Sequence, residues 1–178
     1  MSGLFYKPMD IEQFFAQSEG KWFSQRTDYQ LATQQADNGK AELTVTCLSA
    51  TEPSVVQLAE RAGIAADQVG GGLQTSWDTS QDWQQPQQLG SALLVVVPTG
   101  DRAGTLLRSV GTEFAQGHYA INADASLTLS VISDGCHMEE RLWFASENLR
   151  LRTSTVKRGE SFKRVAFYSE IRRLPPSA

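Results

Sequence analysis

The chain predicts an all-β fold, an antiparallel barrel of about ten strands with one or two short helices. Three observations predict it. From Ser91 onward the sequence is strand and turn, a mostly sequential meander of short runs with a period of two. Helical spacing of apolar residues is confined to two short segments in the first third. At 178 residues the chain builds one real core but not two comfortable ones, so residues 1–178 read as a single calyx-like domain. Closing the sheet on itself removes its edges and leaves room for a small ligand. A β-sandwich is the alternative arrangement of the same strands.

Asp10 and Gln13 have the spacing of a capping box, Phe14 and Phe15 follow, and Gly20 stops a first helix. From Lys21 the period becomes two. Trp22, Ser24, Arg26, Asp28 and Gln30 share one strand face, and Phe23, Thr27, Tyr29 and Leu31 share the other. Asp37-Asn38-Gly39 reads as a turn into a second strand, Lys40–Leu48. Thr51-Glu52-Pro53 opens a second helix with Val55, Val56, Leu58, Ala59 and Ala62 as its apolar stripe, ended by Gly63. Gly70-Gly71-Gly72 leads into a strand ending near Trp77. The polar, glutamine-rich segment after Asp78 is a surface loop with one aromatic, Trp83. Strands follow at Ser91–Val97, Gly104–Val110, Gly117–Asn122 and Ala125–Ser133. The last three are Glu139–Ala145, Leu149–Val156 and Ser161–Arg173, separated by Ser146-Glu147-Asn148 and Lys157-Arg158-Gly159-Glu160.

Composition excludes several classes. Apolar residues make up 40% and charged residues 20% of the chain, as in a globular protein rather than a disordered one. No apolar run approaches the roughly 18 residues of a membrane helix. The opening Met-Ser-Gly-Leu-Phe-Tyr lacks the basic n-region and apolar stretch of a secretory signal, so a cytoplasmic location is expected. The net charge of −4 argues against a nucleic-acid partner. Cys47 lies on the apolar side of its strand, and adjacent Cys136 and His137 point to opposite faces, so neither thiol belongs to a metal or nucleophile motif. The triglycine lacks the Lys-Ser/Thr of a phosphate loop and reads as a strand entry or bend. With two histidines, at no metal spacing, and no Gly-x-Ser-x-Gly elbow, zinc and Ser/His chemistry are not expected.

The chemistry-bearing residues cluster near the C-terminus. Residues 139–173 hold nine basic and five acidic residues, against seven and fifteen elsewhere. Within one strand Arg150, Arg152 and Ser154 share a face, and Leu149, Leu151 and Thr153 the other. Flanking strands carry Glu140 and Glu170, positions from which either carboxylate could approach Arg150. Such alternation is usually a solvated sheet face. The local positive charge favours instead a site for an anionic ligand. Trp77 and Trp83 either pin their loop to the barrel or wall a flat conjugated ligand.

Phe14-Phe15-Ala-Gln-Ser18-Glu19-Gly20-Lys21-Trp22-Phe23-Ser24-Gln25-Arg26-Thr27 closely resembles the N-terminal signature of the S-type phycobiliprotein lyases, the CpcS/CpeS family. Glu140–Phe144, Asn148–Ser154 and Ser169–Arg173 resemble its C-terminal signatures. Asp28-Tyr29 departs from the pattern, since a histidine commonly follows the Arg-Thr. The resemblance implies a ten-stranded lipocalin-like barrel that binds an open-chain tetrapyrrole, such as phycocyanobilin, as substrate rather than as a prosthetic group. It implies transfer of that bilin to a cysteine of phycocyanin, allophycocyanin or a related phycobiliprotein subunit, forming a thioether with the ring A vinylic substituent. The nucleophile then belongs to the acceptor.

On this reading Arg150 and Arg152, with Ser154, bind the propionates. Glu140 or Glu170 accepts from the pyrrole N–H groups and favours their protonated form. Trp77 and Trp83 face the conjugated system, and Arg26 is counted with the binding residues. The active form is a homodimer or a pair with a paralogue. A passive lipocalin-type carrier of a tetrapyrrole or fatty-acid-like anion would share the barrel and the basic lumen, but would leave the signatures unexplained.

Overall fold

The computed structural model describes residues 9–177. The expectation drawn from the opening residues, that no secretory signal is present, falls largely outside them. The elements in order are α1 (Ile11–Ser18), β1 (Gly20–Gln30), β2 (Gln35–Leu48), α2 (Pro53–Arg61), a single 3-10 turn (Ala66–Gln68), and β3 (Gly71–Asp78). Then come β4 (Leu89–Pro98), β5 (Ala103–Val110), β6 (Glu113–Ile121), β7 (Leu127–Ser133), β8 (Cys136–Ser146), β9 (Leu149–Arg158) and β10 (Ser161–Arg172). Each strand pairs antiparallel with the next, and β1 pairs with β10, so the sheet closes into a ten-stranded barrel. The sandwich alternative is thereby set aside.

The period-two face that begins at Trp22 is the inner one. Trp22 is fully buried, and Leu43, Leu73, Val96, Leu106, Tyr119, Leu127 and Leu142 from successive strands join it in one core cluster. Helix α1 forms where expected, with the Asp10–Gln13 capping box present. It packs Ile11, Phe14 and Phe15 into that cluster. The Phe14 and Phe144 rings lie 5.1 Å apart. The α1 carbonyls of Gln17 and Ser18, and Glu19 beyond them, accept from Arg172 Nη2 (2.6 Å), Trp22 Nε1 (2.9 Å) and Arg172 Nη1 (2.7 Å), respectively. These bonds place cationic and polar donors where a helix end exposes unpaired carbonyls, and so fasten α1 across one end of the barrel. Helix α2 instead packs outside, with Val55 and Leu58 against Val95 and Leu107.

One expected turn is displaced. The chain reverses at residues 31–34, with Gln34 at φ 53°, and Asp37-Asn38-Gly39 lies inside β2. Gly39 faces Arg26 across the β1–β2 ladder. A Cβ there would stand 3.0 Å from Arg26 Nη2 and 3.2 Å from its Cζ, so this glycine makes space for a guanidinium rather than a reversal. Smaller differences concern boundaries. β4 starts at Leu89, β7 at Leu127 and β8 at Cys136, and Ala125 sits in a turn at φ 65°.

Candidate functional site

Strands β1, β10, β9 and β8 are neighbours, and their inward positions align in rows across the ladders. One row is Ser24, Glu170, Arg150 and Phe144. The next is Arg26, Tyr168, Arg152 and Leu142. A third is Asp28, Ala166, Ser154 and Glu140. The first row lies nearest α1 and the third nearest the β1–β2 and β9–β10 turns. Arg150, Arg152 and Ser154 therefore belong to the lumen wall, and the solvated-face reading of their alternation does not hold. The opposite wall is mainly apolar, built from Leu73, Leu94, Val96, Leu106, Tyr119 and Leu129, with Arg108 of β5 in the same row as Leu94 and Ala115. The lumen thus has one densely charged side and one largely apolar side.

The charged side is internally paired. Arg150 Nε donates to Glu170 Oε2 at 2.6 Å, and the two side chains are 5% and 0% exposed. Glu170 Oε1 lies 3.2 Å from Arg152 Nη2, and Arg152 Nη1 donates to Glu140 Oε2 at 3.4 Å. Glu140 therefore meets Arg152 rather than Arg150, because it stands two rows farther from α1, opposite Ser154. Burial pushes the Arg150 pKa down, against the opposing pull of Glu170. For Arg152 burial acts in the same sense, but Glu170 and Glu140 together outweigh it and raise the pKa. Arg152 also lies 3.7 Å from the centre of the Tyr168 ring, and Arg150 lies 5.1 Å from that of Trp22.

Trp77 faces the lumen, half-buried, with its indole packed against Gly90, where any Cβ would collide with it. Trp83 is not brought to it. It stands 95% exposed on the loop between β3 and β4, neither pinned to the barrel nor inside it. That loop is held at its middle by Asp82, which is buried and accepts from the Lys40 backbone N–H at 3.2 Å. Arg26 lies between lumen and turn, with Nη2 3.3 Å from Asp37 Oδ2. Among the described residues no group of His, Cys, Asp and Glu is arranged to hold a metal.

Sequence reasoning did not single out Asp28, Arg164, Tyr168 or Arg172. Asp28 is 5% exposed and accepts from Arg164 at two nitrogens, with Nε at 2.6 Å. Its signal was present, since it shares a face with Trp22. What was missing was knowledge that this face is the inner one.

The family model of CpeS-like proteins matches residues 10–173. The chain is 43% identical to the chromophore lyase CpcS/CpeS of Thermosynechococcus vestitus, over 92% of this chain and 93% of that protein. It is 39% identical to chromophore lyase CpcS/CpeS 1 of a Synechocystis strain, over 95% and 94%. The solved structure of the S-type phycobiliprotein lyase CPES from Guillardia theta superposes with a TM-score of 0.82 at 25% identity, covering 94% of this chain and 95% of that one.

Proposed function

The chain belongs to the CpeS-like family of chromophore lyases, and from that membership we propose a phycocyanobilin-like tetrapyrrole as the bilin its barrel holds. The proposed acceptor is a cysteine of a phycocyanin, allophycocyanin or related subunit. Residues 1–178 act as one bilin-binding domain in the cytoplasm, as a homodimer or paired with a paralogue. The passive-carrier alternative is not favoured, since the relatives are named as lyases.

The observation that carries this reading is the lumen wall in which Arg150 and Arg152 flank the buried Glu170, facing a largely apolar wall. A bilin has the matching division, with a flat apolar conjugated system and two propionates along one edge. The wall holds as many carboxylates as arginines in this network, so propionate binding is an exchange of partners. The propionates take Arg150, Arg152 and Ser154, and the displaced carboxylate of Glu170 or Glu140 turns to the pyrrole N–H groups. A carboxylate there favours the protonated bilin, the better electrophile for a thiol. Trp77 lies against the conjugated face, the loop bearing Trp83 covers the mouth, and Arg26 completes the contacts. Covalent bond formation needs only the acceptor thiol, while the barrel orients and shields the bilin.

The test is to mix the protein with phycocyanobilin and apo-phycobiliprotein, following absorbance and zinc-induced fluorescence of the acceptor after denaturing separation. An absorbing complex followed by covalent transfer is expected. A stable complex without transfer to any acceptor subunit points to the carrier, and no complex at all refutes bilin binding.

A further inference from the structure

Among the described residues, the buried side-chain atoms that lack a hydrogen-bond partner include Arg152 Nε and Glu170 Oε1, which belong to the network above. They also include Arg26 Nε and Asp28 Oδ1, two residues apart on the inner face of β1. A neighbouring atom of each side chain is committed. Asp28 Oδ2 is held by Arg164, and Arg26 Nη2 by Asp37, with the Arg26 guanidinium over Gly39. What remains is one buried acceptor, on a side chain 7% exposed, and one buried donor. Leaving a charged oxygen unmatched at such burial is costly unless a ligand matches it.

The pair restricts the ligand chemistry. A carboxylate would be repelled by Asp28, and a cation by Arg26 and Arg164. A neutral edge with one N–H and one adjacent carbonyl satisfies both atoms at once, and a lactam has that edge. Each end ring of an open-chain tetrapyrrole is a lactam, and each is joined through one methine carbon to a propionate-bearing ring. The rows match that order, because Arg26 is followed across the sheet by Tyr168 and Arg152, and Asp28 by Ala166 and Ser154. The short, fully buried Ala166 leaves no side chain standing between Asp28 and Ser154.

Resting on the bilin reading above, we propose that Arg26 and Asp28 clamp a terminal lactam ring of the tetrapyrrole. Asp28 Oδ1 accepts from the ring N–H, and Arg26 Nε donates to the ring carbonyl. The clamp lies in the rows away from α1, so it sets a terminal ring toward the end of the barrel that α1 does not cover. These are positioning residues.

The experiment uses a dipyrrinone with one lactam ring and one propionate, and its O-methyl lactim ether, which lacks the lactam N–H and carries a methoxy group in place of the carbonyl. Each is titrated against the full chain by absorbance. Wild type should bind the dipyrrinone roughly 10- to 150-fold more tightly than the ether, or more, since that is the scale of one hydrogen bond to a charged group and the ether lacks both. Asp28→Asn keeps an oxygen for Arg164 but turns the vacant corner from acceptor to donor. It should lose most of that preference, because the new N–H suits the bare ring nitrogen of the ether and opposes the N–H of the lactam. Arg26→Leu, at a partly exposed position, removes the donor without touching the Asp28–Arg164 pair and should erode the same preference. An unchanged preference in both variants, or an equal loss for both ligands, overturns the clamp. Phycocyanobilin titrated in parallel separates the two claims. If it binds wild type and neither variant discriminates, only the clamp fails. If wild type binds neither phycocyanobilin nor the dipyrrinone, the bilin reading fails and takes the clamp with it.

Discussion

Glu170 stands directly opposite Arg150 in the β9–β10 ladder and accepts its Nε at 2.6 Å, with both side chains closed off from solvent. Removing both charges from water is costly, and their attraction only offsets that cost while both are present. Glu170→Ala should therefore lower stability by about 3–5 kcal/mol, the scale for stranding one partner of a buried pair. Adding Arg150→Met should restore most of it. Urea unfolding of the single and double variants checks this, and additive losses would contradict it.

Glu140 presents the opposite case. Its side chain is 28% exposed and its bond to Arg152 is long, at 3.4 Å. Glu140→Gln should change unfolding free energy by less than about 1 kcal/mol. Bilin should still bind, with a weaker and blue-shifted long-wavelength band, and transfer should slow by more than binding weakens. If Glu140→Gln and Glu170→Gln both transfer at the wild-type rate, the carboxylates hold no proton for the reaction.

Trp83, 95% exposed, contributes nothing measurable to the core. Trp83→Ala should leave the melting temperature within about 2 °C, as for surface substitutions far from packing features. On the proposed reading, in which the loop covers the mouth, it should shift the absorption maximum of bound bilin. A variant spectrum identical to wild type would remove Trp83 from the site.

Cys47 is on the inner face of β2, and burial together with the Glu19 carboxylate raises its thiol pKa to about 11. The folded chain then keeps a proton that an unfolded thiol releases near 9.0. Any contribution of this group to stability is complete below that value and declines as pH rises toward 11. In a Cys136→Ser background, alkylation of Cys47 by iodoacetamide should keep accelerating to about pH 11. A plateau near 9 would show an ordinary thiol.

Arg172 donates to the carbonyls of Gln17, Glu19 and Glu147 and lies 4.1 Å from the Trp22 ring centre. Arg172→Ala should cost about 1.5–3 kcal/mol, the scale for hydrogen bonds to a charged group. Amide exchange in α1 should accelerate more than in β6. Uniform acceleration across both would mean that Arg172 supports the whole barrel rather than the helix.

Much of the fold was legible because strands declare themselves by local alternation. The Asp10–Gln13 cap, the Pro53 helix start and the last three strands needed nothing beyond their own residues. Gly39 misled because glycine after Asp-Asn usually marks a reversal, and its actual reason, the Arg26 side chain, comes from another strand. The same limit applied to the candidate site. Alternation put Arg150, Arg152 and Ser154 together, but a period of two has no sign, so it could not say which face was inner. Glu140 was matched to the wrong arginine because the match depends on register across β8 and β9, and register is a property of the assembled sheet.

Phe14, Phe15 and Trp22 pack together beneath α1 at one end of the barrel, so on the proposed reading whatever occupies the lumen has its doorway at the other end. Loading and delivery must then take turns. An acceptor subunit seated over that doorway to receive the pigment also stands in the path of the next molecule of pigment, and a filled lyase cannot be refilled until its partner has left. Traffic of this kind is strictly ordered, and an excess of free pigment cannot hasten a handover already under way.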